Sequence, residues 1–223
     1  MEEEKFMRTK KALLAALCAC LLVVGSVMGT MAYLTATENV VNTFTVGSIT
    51  FGDGANEKGL DEAKTDEYGV KADPEVRVQT NTYKLVPGHT YVKDPTVHIK
   101  NDSESCYLFV KVENGISDIE AASEAGGYQN IADQLDANGW DVLTGVDNVY
   151  YQSWAAADGA VESETDDVVV FSNFKVAGTA NNKDVADHAA AQIVVTAYAV
   201  QADGFKSAAE AWTATFGVPS TSD

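Results

Sequence analysis

The chain has 223 residues, of which 46% are hydrophobic and 22% are charged, and its formal net charge is −18 at pH 7. Such an acidic chain repels phosphate backbones and anionic headgroups, so we expect it to bind neither nucleic acid nor anionic lipid. Its length is sufficient for one domain with a substantial hydrophobic core.

The first 32 residues have the pattern of a secretory signal peptide. Basic residues precede an apolar run at 12–28, and Thr30 and Ala32 are small residues three and one positions before a cut. We therefore predict cleavage between Ala32 and Tyr33, which would leave residues 33–223 with a net charge of −19, because four basic and three acidic residues leave. The alternative is an uncleaved anchor, since the run approaches the roughly 17 residues that span a bilayer. Any membrane contact would use only this segment.

The segment 33–51 predicts an extended N-terminal strand. Phe44 and Val46 alternate with threonines, and after Gly47 the apolar pattern resumes. A strand at the new N-terminus can pair with its own sheet or with the open edge of another copy, so it is a candidate donor strand. The predicted assembly residues are Val40, Val41, Phe44, Val46, Ile49 and Phe51.

The next part of the chain predicts a loop followed by short strands. Residues 52–73 are rich in Gly, Asp, Glu and Lys, which is typical of a solvated acidic loop, and they lack the regular ligand spacing of a calcium loop. Residues 75–84 alternate apolar or threonine positions with polar ones, which predicts a strand with one wet face. A turn at Pro87 and Gly88 and a strand at 96–100 follow.

A strand beginning at Cys106 has two predicted faces. Cys106, Leu108, Val110 and Val112 form the apolar face, and residues 107, 109, 111 and 113 form the other. Cys106 is the only cysteine left after signal cleavage, so no disulfide within the mature chain is expected. We expect a buried thiol rather than a reactive one.

The remaining elements complete the fold prediction. Residues 115–138 have helical spacing and predict a helical insertion, strands are predicted at 139–143, 149–154, 167–176 and 192–201, and a short helix at 207–216 is expected to pack through Trp212. Residues 33–223 are therefore predicted to form a single, mainly β domain. Its expected fold is an antiparallel β-sandwich of jelly-roll or immunoglobulin-like type, with one or two short inserted helices and a short C-terminal helix.

Motifs for catalysis are missing from the sequence. Its histidines are His89, His98 and His188, and none belongs to a His-Glu-x-x-His helix. His98 alternates with Val97 and Ile99, so we expect it to point to solvent. There is no Gly-x-Ser-x-Gly motif. We therefore expect no enzymatic activity, no cofactor and no metal.

Several blocks carry a resemblance to a known family. Ala-Tyr-Leu-Thr at 32–35 and Asn-Thr-Phe-Thr-Val-Gly at 42–47 resemble the TasA/camelysin family, and blocks at 84–89, 94–97 and 107–114 support the likeness. Members are exported proteins of Gram-positive bacteria whose signal peptides are cut by a SipW-type signal peptidase. The resemblance implies secretion to the matrix or cell surface of such a bacterium and transient contact with that peptidase.

The resemblance also suggests a function. TasA-like members are components of extracellular fibres, so we expect a cell-surface or biofilm-matrix structural protein that assembles by strand addition with its own copies or with related matrix proteins. The camelysin branch implies an alternative, a secreted metallopeptidase. A third reading is a surface adhesin or ligand-binding module, for which Tyr150, Tyr151 and Trp154 would supply an aromatic surface.

Overall fold

A computed structural model of the protein describes residues 35–38, 49–52, 58–161 and 164–217. The described strands are β1 (Thr35–Glu38), β2 (Leu60–Ala63), β3 (Arg77–Val78), β4 (Thr90–Val92), β5 (Thr96–Lys100), β6 (Cys106–Asn114), β7 (Asp141–Val142), β8 (Val149–Trp154), β9 (Thr165–Val169), β10 (Asn173–Lys175) and β11 (Ile193–Gln201). The described helices are α1 (Ile131–Ala137), α2 (Asn182–Asp187) and α3 (Ala208–Phe216).

The strands form antiparallel sheets that face each other across one core. The larger sheet has the order β1-β11-β6-β8-β7, the smaller has the order β3-β2-β5-β9, and β10 pairs with β4. Leu108 and Val110 of β6 lie in the same buried cluster as Val97 and Ile99 of β5 and Phe174 of β10. The predicted mainly β, sandwich-like fold with short helices is confirmed.

A second cluster covers the outer face of the larger sheet. Helix α3 places Trp212 against Phe109 and Tyr198, with ring centroids 5.0 and 5.6 Å apart. Helix α3 begins after Ser207, whose hydroxyl accepts a hydrogen bond from the backbone N–H of Glu210. The predicted packing of the C-terminal helix through Trp212 is confirmed. Phe109, on the second predicted face of this strand, is completely buried in this cluster.

Replacing Trp212 by Ala is expected to lower the free energy of unfolding by about 3–5 kcal/mol, because it removes the large ring that fills this cluster. Urea unfolding followed by far-UV circular dichroism measures the change. Thr213→Ala is the matched control, since Thr213 is its exposed neighbour on the same helix. Equal effects of the two substitutions would contradict the assigned packing.

Strong periodicity located several elements correctly. Strands β5 and β8 lie at the predicted positions, and β11 runs between β1 and β6, which agrees with its apolar residues on both faces. Helix α1 lies within the predicted helical insertion at 115–138.

Three predicted segments differ from the structure. The prediction of an acidic loop across 52–73 is wrong at β2, whose Asp61 and Glu62 are buried. The strand predicted at 75–84 is reduced to the two residues of β3. The strand predicted at 167–176 is divided into β9 and β10, because the buried side chain of Gln134 bonds the backbone of Ser172 and Asn173 between them.

Several positions predicted from the sequence lie outside the described residues. They are the apolar run 12–28, the cleavage pair Ala32 and Tyr33, and the assembly residues Val40, Val41, Phe44 and Val46. Within the described ranges, no helix combines the length and the apolar character needed to cross a membrane.

Candidate functional site

A groove of about 870 Å³ lies between two segments that are distant in sequence. One wall is the extended segment 79–85 after β3, and the other runs from the end of α2 into the beginning of β11. Apolar side chains line it, and they are Leu60, Tyr83, Leu85, Ile116, Phe174, Ile193 and Val195.

Both walls present main-chain groups that have no strand partner among the described residues. On the side where β1 lies, β11 is paired only from Ala197 to Val200, so its residues 193–196 have no partner there among the described residues. The backbone groups of residues 80–83 likewise form no hydrogen bond to another part of the described chain. Unpaired N–H and C=O groups beside an apolar floor are the features that accept an added strand.

One end of the groove is polar, and its side chains are held in place by hydrogen bonds. The Glu62 carboxylate accepts hydrogen bonds from Lys93 Nζ at 2.6 Å and from Asn81 Nδ2 at 2.9 Å. The Asn81 amide also donates to the carbonyl of Ala63 and accepts from the backbone N–H of Thr65. Because Asn81 bonds to both sides of this corner, it fixes the 79–85 wall to β2.

A network of ion pairs continues behind β2. Arg77 Nε donates to Asp61 Oδ1 at 2.7 Å, and Arg77 Nη1 lies 3.3 Å from Asp94 Oδ2. Asp94 also accepts hydrogen bonds from Lys71 Nζ and from the backbone N–H of Ala63. Burial opposes the ionisation of Asp94, but these donors outweigh it and hold the pKa of Asp94 below its usual value.

His98 belongs to the same network. Its Nε2 lies 2.9 Å from Asp61 Oδ1, and its Nδ1 lies 2.6 Å from Asp167 Oδ1. Burial acts to lower the pKa of His98, but the bonds to the two carboxylates outweigh burial and raise it above the usual value. The prediction that His98 points freely to solvent is wrong, because the ring is enclosed between β2 and β9.

The other histidines have separate partners. His188 lies next to α2, with Nδ1 2.7 Å from the carbonyl oxygen of Asp184 and Nε2 2.8 Å from Asp118 Oδ1. The hydrogen bond to that carbonyl, followed by the charge of Asp118, raises the pKa of His188. His89 Nε2 lies 2.8 Å from the carbonyl oxygen of Tyr68. Within the described ranges, no three His, Cys, Asp or Glu side chains are grouped to hold a metal ion.

Two predicted assembly residues lie in the described part of the chain. Ile49 is buried in the core, and Phe51 bridges to Ile99 of β5. The backbone N–H of Lys100 donates to the carbonyl of Thr50 at 2.9 Å. These two residues therefore lie beside the smaller sheet.

The aromatic residues considered for an adhesin do not share one surface. Tyr150 packs against the core between the sheets, whereas Tyr151 packs against the cluster under α3 on the opposite face of β8. Trp154 is buried and donates from Nε1 to Asp166 Oδ2 at 2.8 Å.

Cys106 is fully buried, as predicted, and burial raises the pKa of its thiol to about 12. Such a thiol remains protonated and unreactive at neutral pH.

No protein-family model, curated protein or solved structure matches this chain. Function is therefore inferred from the chemistry of the groove.

The sequence analysis missed the acidic corner of the groove at Asp61 and Glu62. A segment with acidic residues and a single leucine has the composition of a solvated loop, although these acids are buried. The wall at 185–195 was also missed, since the only signal was the apolar start of β11.

Proposed function

We propose that this protein is a secreted structural protein of the cell surface or biofilm matrix, a fibre subunit that assembles by strand addition. The groove between residues 79–85 and 185–195 carries the proposal. A strand entering it would meet main-chain groups that have no partner in the described chain on both walls, and apolar side chains on the floor. The edge of β11 that lacks a described partner is four residues long, about 13 Å at ~3.3 Å per residue.

The proposed occupant is the N-terminal segment that follows β1. Glu38 pairs with Ala197 in an antiparallel register, so each further residue would lie opposite the preceding residue of β11. Continued in this way, the register would set Val40 opposite Val195 and Asn42 opposite Ile193. Residues directly opposite share a face, so the Val40 side chain would enter the apolar floor with Val195.

The same positions can be filled from within the subunit or, if β1 is exchanged together with the segment that follows it, from a neighbouring copy. Filling from a neighbour makes a heterologous contact that does not close, and repetition of that contact produces a fibre. The resemblance to the TasA/camelysin family and the location of the segment just after the expected cleavage site support this second arrangement. Cleavage by a SipW-type signal peptidase would then free the donor segment, so that assembly begins only after secretion.

Two variants with one introduced cysteine each, Val40→Cys and Val195→Cys, test the register and the exchange together. When they are mixed under mildly acidic, fibre-forming conditions and oxidised, we expect a disulfide-linked dimer that is resolved on a non-reducing gel. The native thiol of Cys106 should not react, because it is buried and its pKa is about 12.

The matched control replaces the neighbour of Val195. Val194 is 39% exposed and lies on the opposite face of β11, so Val194→Cys should cross-link to Val40→Cys at least about tenfold less. Cross-linking confined to monomers of a Val40→Cys/Val195→Cys double variant would show that the segment fills its own groove and would contradict the fibre proposal.

A further inference from the structure

Two histidines have an oxygen atom next to each ring nitrogen; both contacts of His98 are hydrogen bonds, whereas His188 has one hydrogen bond and one ion-pair contact. His98 lies between the carboxylates of Asp61 and Asp167, and His188 lies between the carbonyl of Asp184 and the carboxylate of Asp118. Carbonyls and ionised carboxylates only accept hydrogen bonds, so each ring nitrogen must donate. Both rings therefore fit their surroundings only as doubly protonated imidazolium.

His98 acts on one wall of the groove through β2, and His188 acts on the other directly. His98 holds Asp61 of β2, and Asn81 bonds the 79–85 wall to Glu62 and Ala63 of the same strand. His188 begins the segment 188–193 of the opposite wall and ties it to Asp118, in the turn after β6. The two contacts thus lie on the two sides of the proposed strand site.

We propose that His98 and His188 form a pH-dependent clamp, which holds both walls of the groove in the strand-accepting shape while the rings are protonated and loosens them when the rings lose a proton. The clamp itself follows from the contacts of the subunit. Its effect on assembly rests on the proposed function of the groove.

The charges around His98 favour its protonated form. Asp61 faces it from β2 and Asp167 from β9, and Arg77 of β3 is already bonded to Asp61. Lys100, two residues along β5, lies on the same face of that strand. The two carboxylates in direct contact outweigh these cations and burial, so the pKa of His98 is raised.

The charges around His188 also favour its protonated form. Asp118 faces the ring from the turn after β6, and Asp187 adds a negative charge from α2. Lys183, the cation of that helix, is itself bonded to Asp187. The carbonyl of Asp184 and these carboxylates together raise the pKa of His188.

Loss of a proton leaves one N–H for two acceptors. For His98, Asp61 is buried whereas the Asp167 side chain is 61% exposed, so Asp167 is the partner released to water; the ion pair of His98 with Asp61 then becomes a weaker hydrogen bond from a neutral ring, which loosens the hold on β2. For His188, the Asp118 side chain is 69% exposed and is released in the same way. Because both folded-state pKa values are raised, the stabilisation is complete below the usual value of about 6.5 and is lost as the pH rises through the folded-state pKa.

The test measures ring titration and local opening in the unassembled protein starting at Tyr33. We expect the NMR titration midpoints of His98 and His188 to exceed about 6.5. Hydrogen exchange at 60–63 and 182–192, corrected for its intrinsic pH dependence, should show opening that increases by up to about tenfold per pH unit near each midpoint. Midpoints at or below 6.5, or wall opening that is constant with pH, would overturn the clamp.

Substitutions assign the effect to the two rings. His98→Gln and His188→Gln offer one donor and one acceptor at every pH, so each should keep its own wall open and remove the pH dependence there. His89→Gln is the matched control, since that ring contacts the Tyr68 carbonyl and no carboxylate in the described chain, and it should retain the wild-type profile.

Two exposed carboxylates provide variants that preserve the ring. Asp167→Asn and Asp118→Asn should lower the titration midpoints of His98 and His188, respectively, without removing a buried group. Fibre formation is scored separately by electron microscopy. Walls that respond to pH in a protein that never polymerises would contradict the fibre proposal alone, and fibres built from subunits with pH-independent walls would contradict the clamp alone.

Discussion

Replacing Lys93 by Met is expected to lower the free energy of unfolding by about 3–5 kcal/mol, because it leaves a buried carboxylate without its cation. The side chain of Glu62 is only 4% exposed and that of Lys93 only 12%, and their charged atoms are 2.6 Å apart. The amide of Asn81 would remain bonded to Glu62 but would not neutralise it. Urea unfolding at pH 7 measures the loss.

A second substitution separates the charge from the packing. Glu62→Gln combined with Lys93→Met removes both charges, so the double variant should recover most of the stability lost by Lys93→Met alone. Lys183→Met is the control, since the Lys183 and Asp187 side chains are 79% and 57% exposed and such surface pairs contribute about 0–1 kcal/mol. A loss below about 1 kcal/mol for Lys93→Met would contradict the assignment of Glu62 as a buried anion.

In the elements that were predicted correctly, the apolar pattern of the sequence agrees with the packing of the folded protein. Strand β5 alternates the buried Val97 and Ile99 with more exposed neighbours, and β11 is apolar on both faces because it lies inside the larger sheet. In both strands the local pattern and the tertiary packing favour the same structure.

The elements that were missed depend on partners from elsewhere in the chain. Strand β2 buries two acids, which are stable there only because Arg77 and Lys93 pair with them. From its acidic composition alone, this segment is predicted to be a solvated loop. Residues 80–83 have the alternation of a strand but no strand pairs with them in the described chain. Periodicity reports which face a residue prefers, and it does not report whether a neighbouring strand is present.

The candidate site likewise has one part that could be predicted from the local sequence and another that depends on residues distant in the chain. The apolar N-terminal segment could be recognised from sequence because its pattern is local. The groove could not, because its walls are about a hundred residues apart, and neither could the contacts of His98 with Asp61 and Asp167, which are 37 and 69 residues away. A candidate donor strand can thus be recognised in the sequence, whereas the groove proposed to accept it is formed only by folding.

Deleting residues 33–47 from the mature protein is expected to abolish its self-association, because it removes the segment that would fill the groove of a neighbour. Sedimentation velocity and electron microscopy at mildly acidic pH measure assembly, and circular dichroism checks the fold. Mildly acidic pH is chosen because it partly neutralises the net charge of −19 and so reduces repulsion between subunits.

A synthetic peptide with the sequence of residues 33–47 should bind the shortened protein and stabilise it. At a concentration of 100 times its Kd the peptide would raise the free energy of unfolding by about 2.7 kcal/mol, since it binds only the folded state. A peptide carrying Val40→Asp and Phe44→Asp is the control and should not stabilise it, because the charge at position 40 would enter the apolar floor beside Val195 and the charge at position 44 would lie opposite Ala191 of the same wall. If the shortened protein does not fold, the same two substitutions in the full mature chain replace the deletion. Unchanged self-association in either variant would show that the N-terminal segment is an ordinary part of the subunit and that fibres, if formed, use another surface.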